Sequence, residues 1–166
     1  MSDFVNTVDI VGDEALTNSI IDKSITEIAD NVATSIGISA FSSCSKLTTA
    51  VFQAATSIGN QAFSSCSKLT TAVFQAATSI AGEAFGNCSK LTALILCSET
   101  MVTLSSTSAL NGTPIKSGTG YIYVPRALVD SYKAESNWST FAAQFRALED
   151  YTVDGTITGA LDESKI

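Results

Sequence analysis

The sequence predicts a repeat solenoid, a right-handed coil of 22-residue rungs built on a parallel β-sheet and closed by a helical C-terminal cap. Three observations predict it. Residues 40–57 read AFSSCSKLTTAVFQAATS, and residues 62–79 repeat the same eighteen letters. A third copy opens at Ala84 as AFGNCSKLTALIL, which keeps Phe41, Phe63 and Phe85, and Leu47, Leu69 and Leu91, 22 residues apart. Finally, the stretches Leu47-x-x-Ala50-x-Phe52, Leu69-x-x-Ala72-x-Phe74 and Leu91-x-x-Leu94-x-Leu96 alternate as half-buried strands do. One such rung cannot bury its own apolar side, whereas stacked rungs bring like residues together about 4.8 Å apart.

Taken in order, residues 1–23 form an acidic N-terminal arm, and the solenoid runs over 24–125. Ser24-x-x-Glu27 is a possible capping box, but Ile25 and Ile28 hold the Leu47 and Ala50 positions, so a strand is preferred. Val32-Ala33-Thr34-Ser35-Ile36 matches Ala54-Ala55-Thr56-Ser57-Ile58, so a partial rung precedes the full ones. Strands are expected near 47–52, 69–74, 91–96 and 121–124, with an irregular rung at about 98–124. A helical cap follows over 126–150. Pro125 suits a helix start, Leu128, Val129 and Tyr132 share a face, and Phe141, Phe145 and Leu148 fall at helical spacing after a second start near Asn137 or Ser139. Residues 151–166 complete the chain as a hairpin around Asp154-Gly155 and a frayed tail.

The period and the L-x-x-L-x-L spacing are those of leucine-rich repeats. The fuller pattern I-G-x-x-A-F-x-x-C-x-x-L-T-x-x-x-F, with Gly37, Gly59 and the Ala-Phe pairs, resembles the BspA-like leucine-rich repeats of bacterial surface proteins. Gly120-Tyr121-Ile122-Tyr123-Val124-Pro125, then Leu128 to Lys133 and Asn137-Trp138-Ser139, resembles the end of such arrays, so the likeness extends over roughly 24–150. Ala81, in place of the usual glycine, and the irregular rung depart from it. The resemblance implies a surface-exposed adhesion or recognition protein.

Composition narrows the functional classes. The net charge is −7, distributed as −6 over residues 1–35, +2 over 36–98 and −3 over 99–166. An acidic chain without a basic stripe is a poor ligand for nucleic acid or anionic membranes. No apolar run approaches a membrane span. Met1 to Asn6 has neither the basic start nor the apolar core of a signal peptide. Histidine is absent and no CxxC pair occurs, so neither a metal nor another cofactor is expected.

Candidate chemistry reduces to a few patterns. Ser43-Cys44-Ser45-Lys46 and Ser65-Cys66-Ser67-Lys68 match the S-x-x-K of serine acyl-enzymes, but the partner motifs S-D-N and K-T-G are missing, so a solvated turn is preferred. Cys44, Cys66 and Cys88 could be reactive thiols; a column of buried, reduced side chains explains the spacing better, with Cys97 outside it. Lys46, Lys68 and Lys90 form a row that reads either as an anion-binding ridge or, preferably, as solvated charge. Asn111-Gly112-Thr113 and Asn137-Trp138-Ser139 are glycosylation sequons by pattern alone.

The expected binding surface is the outer face of the strands. Side chains alternate, so Thr49, Val51 and Gln53, then Thr71, Val73 and Gln75, then Ala93 and Ile95 point away from the core, with Cys97 ending the last row. Stacking turns them into an uncharged surface with an apolar stripe between more polar edges, which reads either as a binding site or as plain strand propensity. Two functions follow. One is a non-enzymatic adhesion module, surface-located, that recognises a protein or glycan, with self-association possible. The other is a structural or attachment component of a larger assembly, such as a phage tail or baseplate.

Overall fold

The computed structural model describes residues 24–150 and the backbone of residues 152–153 and 156–157. The expected acidic arm and the frayed tail lie outside the described residues.

The rungs build two parallel sheets, the first four described rungs contributing to both. The main sheet takes β1 (Glu27–Asp30), β3 (Thr49–Phe52), β5 (Thr71–Phe74), β7 (Ala93–Leu96), β9 (Tyr121–Val124) and β10 (Phe145–Ala147), in that spatial order. A smaller sheet stacks β2 (Ser35–Ile36), β4 (Ser57–Ile58), β6 (Ser79–Ile80) and β8 (Thr103–Leu104). The register follows the repeat: Ile28 pairs with Ala50, Ala50 with Ala72, and Ala72 with Leu94. Ser24-x-x-Glu27 therefore leads into a strand, as preferred. The smaller sheet was not anticipated, because two-residue strands leave too short a period to read.

The third side of each rung is a run of tight turns. Ser39, Ser43, Gln61, Ser65, Glu83 and Asn87 all adopt positive φ, two per rung at matching positions. Alternate amides still ladder between rungs: Phe41 N donates to Ala62 O and Phe63 N to Ala84 O, both at 2.7 Å. The chain thus satisfies its backbone along the stack even where it is not a strand. At the corner before these turns, a Cβ on Gly59 would meet Gly37 C at 2.8 Å and Ile36 O at 2.9 Å, so the Ile-Gly pair reflects close approach to the rung below.

Two interleaved aromatic columns fill the core. Phe41, Phe63 and Phe85 stack at 5.0 and 5.3 Å with nearly parallel rings, and Phe52 stacks on Phe74 at 5.6 Å. The columns meet edge to face, for example Phe63 against Phe74 at 6.1 Å and 67°. Asp30 takes the place of Phe52 in the first described rung, where its Oδ1 accepts from the amides of Val32 and Ala33, both at 2.8 Å.

The C-terminal region corrects one expectation. Short helical segments cover Arg126–Leu128, Val129–Ala134 and Trp138–Gln144, the last kinked at Phe141. Phe145, however, does not continue a helix with Phe141 and Leu148. Phe145–Ala147 is a strand, parallel to β9, with Phe145 beside Ile122. The open edge of β9 presents unpaired amides and carbonyls, and pairing them outweighs one more helical turn. The cap grips the end of the smaller sheet: Tyr132 Oη accepts from Val102 N, Trp138 Nε1 donates to Val102 O, and Asn137 Nδ2 donates to Leu104 O, each at 2.7 Å. Beyond it, β11 (Thr152–Val153) pairs antiparallel with β12 (Thr156–Ile157), so the connection falls at Asp154-Gly155 as expected.

Candidate functional site

The outer face of the main sheet is built of columns in strict register. One reads Glu27, Thr49, Thr71, Ala93, Tyr121 and a second reads Ala29, Val51, Val73, Ile95, Tyr123, Arg146. Gln53 and Gln75 continue beyond the strands, their amides donating to Asp30 O and Phe52 O at 2.9 Å. Six of the eight predicted positions thus lie in strands of one sheet, and Gln53 and Gln75 follow directly after β3 and β5.

Two features of that face differ from the expectation. The stripe is not bare: Val51 is 8 % exposed, Val73 3 %, Ala93 7 % and Ile95 0 %, and they form an apolar cluster separate from the core. Leu148, just after β10, is the member that comes from outside the strands, with Cys97 and Tyr123 packed alongside. Thr49, Thr71, Gln53 and Gln75 remain half-buried. Nor is the face uncharged. Glu27 stands exposed at one end, and at the other Arg146 lies over the Tyr121 ring at 4.4 Å while Tyr121 and Tyr123 meet edge to face at 6.3 Å. Burial raises the Tyr123 hydroxyl's pKa, with Tyr121 adding to the effect and Arg146 opposing it. Glu27 and Ala29 were within reach of the sequence, since Ile28 shares the Ala50 register. Arg146 was not, because it depends on Phe145–Ala147 being a strand.

The other candidates resolve locally. Cys44, Cys66 and Cys88 are fully buried free thiols, with Cys66 Sγ donating to Phe41 O and Cys88 Sγ to Phe63 O, both at 3.0 Å. A hydrogen bond from Cys44 favours the Cys66 thiolate, but the bond to Cys88, burial and the Cys88 charge outweigh it and push the thiol up to about 12. Burial likewise pushes Cys97 up to about 11. Such thiols are poor nucleophiles at neutral pH. In the S-x-x-K stretches, Ser43 is exposed and Ser65 half-buried at positive φ, while Lys46 and Lys68 are exposed. Lys46, Lys68 and Lys90 do form a solvated row. Thr113 is a buried helix cap, donating to Leu110 O at 2.7 Å and accepting from Lys116 N at 3.2 Å, and Asn137 is engaged with Leu104, so both sequons serve the fold. Among the described residues no group of three or more metal-ligating side chains converges. No helix there is long and apolar enough to cross a membrane.

Comparison with known families matches residues 2–118 to the BspA type leucine-rich repeat region, in six copies. The chain belongs to that family. The BspA-type match begins and ends earlier than the 24–150 read from the sequence, and it counts the residues of the acidic arm among the repeats. Leucine-rich repeats generally act as binding modules, and a BspA-type repeat domain is typically non-catalytic. The family suggests a surface protein. No curated protein matches the chain.

Proposed function

We propose that this BspA-type chain is a non-enzymatic adhesion module at a cell or virion surface, and that it recognises a protein or glycan with the outer face of its main sheet. The observation that carries the reading is the cluster of Tyr121, Tyr123 and Arg146 at the end of the Thr and Val columns. Tyrosine and arginine supply large contact area and directional hydrogen bonding at little conformational cost, which is why they dominate binding hot spots. Beside them, Thr71 and Gln75 offer half-buried polar groups at strand spacing.

The test is a binding screen of the full chain against immobilised matrix glycoproteins and glycans. A saturable interaction is expected, and Tyr121→Ser or Gln75→Lys should each weaken it by about thirtyfold, the loss that about 2 kcal/mol at a hot spot gives. If both variants bind every captured ligand as tightly as the parent, the sheet face is not the recognition surface.

A further inference from the structure

One positive charge recurs with the rung and continues past the repeat. Lys46, Lys68 and Lys90 stand at the same place in three successive turns, and all three are exposed. Their turns are in register: Ser43 N donates to Ser64 O at 2.7 Å, Ser65 N to Gly86 O at 2.8 Å and Asn87 N to Asn111 O at 2.8 Å. The last of these bonds begins a match between the turn of Lys90 and residues 111–119, and Tyr121 N, donating to Thr92 O at 2.8 Å, ends it. That segment holds the short helix Pro114–Ser117 and a fourth exposed lysine, Lys116. Ser89 from one turn and Gly112, Lys116, Ser117 and Thr119 from the next line an open groove of about 470 Å³.

Nothing among the described residues neutralises this row. Residues 42–48, 64–70, 86–92 and 111–119 contain no acid. Among the described residues Lys46, Lys68 and Lys90 make no ion pair or hydrogen bond, and Lys116 Nζ donates to the neutral Asn111 Oδ1 at 3.0 Å. Four of the nine basic side chains of a chain with net charge −7 are thus gathered in consecutive turns. Rungs stand about 4.8 Å apart, so the ammonium groups repel one another, and a chain of anions laid along them relieves the repulsion. We propose that this row, ending in the groove at Lys116, is a second binding site, for a linear acidic glycan whose anionic groups run in single file. Ser45, Ser67 and Ser89, exposed one residue before each lysine, add hydroxyls that both donate to and accept from a sugar. The row is one charge wide, which suits a single polymer strand and not duplex nucleic acid, with its charge about every 1.7 Å. It lies on the turns, apart from the outer sheet face, and does not rest on the proposed function.

The experiment is titration of the full chain with dextran sulfate and with polygalacturonate, neutral dextran serving as the uncharged counterpart. Saturable binding to at least one polyanion and none to dextran is expected, and the polymer that binds identifies the anionic group as sulfate or carboxylate. Lys68→Gln/Lys90→Gln should weaken that binding by about thirtyfold, through the loss of two charge contacts. The same pair should lower the slope of log affinity against log salt by about two. Arg126→Gln/Lys133→Gln makes the same change in net charge from the C-terminal cap, and should alter affinity by less than about twofold because distant exposed charges are screened. Equal losses from the two pairs mean general attraction and overturn the site. So do binding of neutral dextran as tight as that of dextran sulfate, the absence of saturable binding to either polyanion, or tighter binding to a short DNA duplex. Tyr121→Ser, on the sheet face, should leave polyanion binding unchanged. A loss there, with the lysine pair unaffected, assigns the glycan to the sheet face and overturns the row.

Discussion

At the residue scale, the aromatic column concentrates stability in single side chains. Phe63 has stacked partners on both sides and two edge-to-face neighbours, Phe52 and Phe74. Truncation leaves a cavity that the rungs cannot collapse, since their spacing is held by backbone ladders through Phe41 N, Phe63 N and Ser65 N. Phe63→Ala should therefore cost about 3–5 kcal/mol in a denaturant melt, and a loss under about 1 kcal/mol would contradict the stacked core. The cysteines belong to the same logic. Their recurrence reflects a small buried position beneath the turn, with the thiol satisfied by the Phe41 or Phe63 carbonyl of the preceding rung.

At the element scale, the backbone of Val102 takes two of the three hydrogen bonds by which the cap grips the end of the smaller sheet. Tyr132 and Trp138 together satisfy both the N–H and the C=O of Val102, which is itself buried. Removing the tyrosine oxygen leaves a buried amide without an acceptor while preserving the ring that packs on Trp138 and Phe145. Tyr132→Phe should therefore cost about 1–3 kcal/mol, read as a lower denaturant midpoint at unchanged slope. Hydrogen exchange should lose protection first at Val102. An unchanged midpoint would show that the amide finds water instead. The sequence foretold the apolar face of Leu128, Val129 and Tyr132, but the hydroxyl's acceptor role depends on a residue thirty positions upstream.

At the scale of the whole molecule, the chain is close to one-dimensional. The first four described rungs pair through both sheets, and consecutive strands of the main sheet are sequential rungs up to β10. Deleting residues 47–68 joins Lys46 to Leu69 and recreates the native Lys-Leu junction, removing one 22-residue rung and no cap. The shortened protein should fold to the same parallel architecture, with a denaturant slope reduced in proportion to the lost surface and stability lower by a few kcal/mol. Circular dichroism and urea melts check this. Loss of cooperative unfolding would mean that the rungs are not interchangeable.

The sequence by itself determined the rung: its length, its register, the Phe, Leu, Ile and Cys columns, the direction of the strands and the Asp-Gly connection. Identical rungs bury their apolar sides only by stacking like on like, so a period in the letters becomes a register in space. Tertiary structure alone decided what meets that stack from outside it. Phe145–Ala147 became a strand because β9 left an open edge, and Arg146 reached Tyr121 as a consequence. The Val51–Val73–Ile95 stripe, outward by alternation, was buried in a cluster with Leu148. Periodicity states which way a side chain points, whereas its exposure depends on non-repeating segments that arrive from far along the chain.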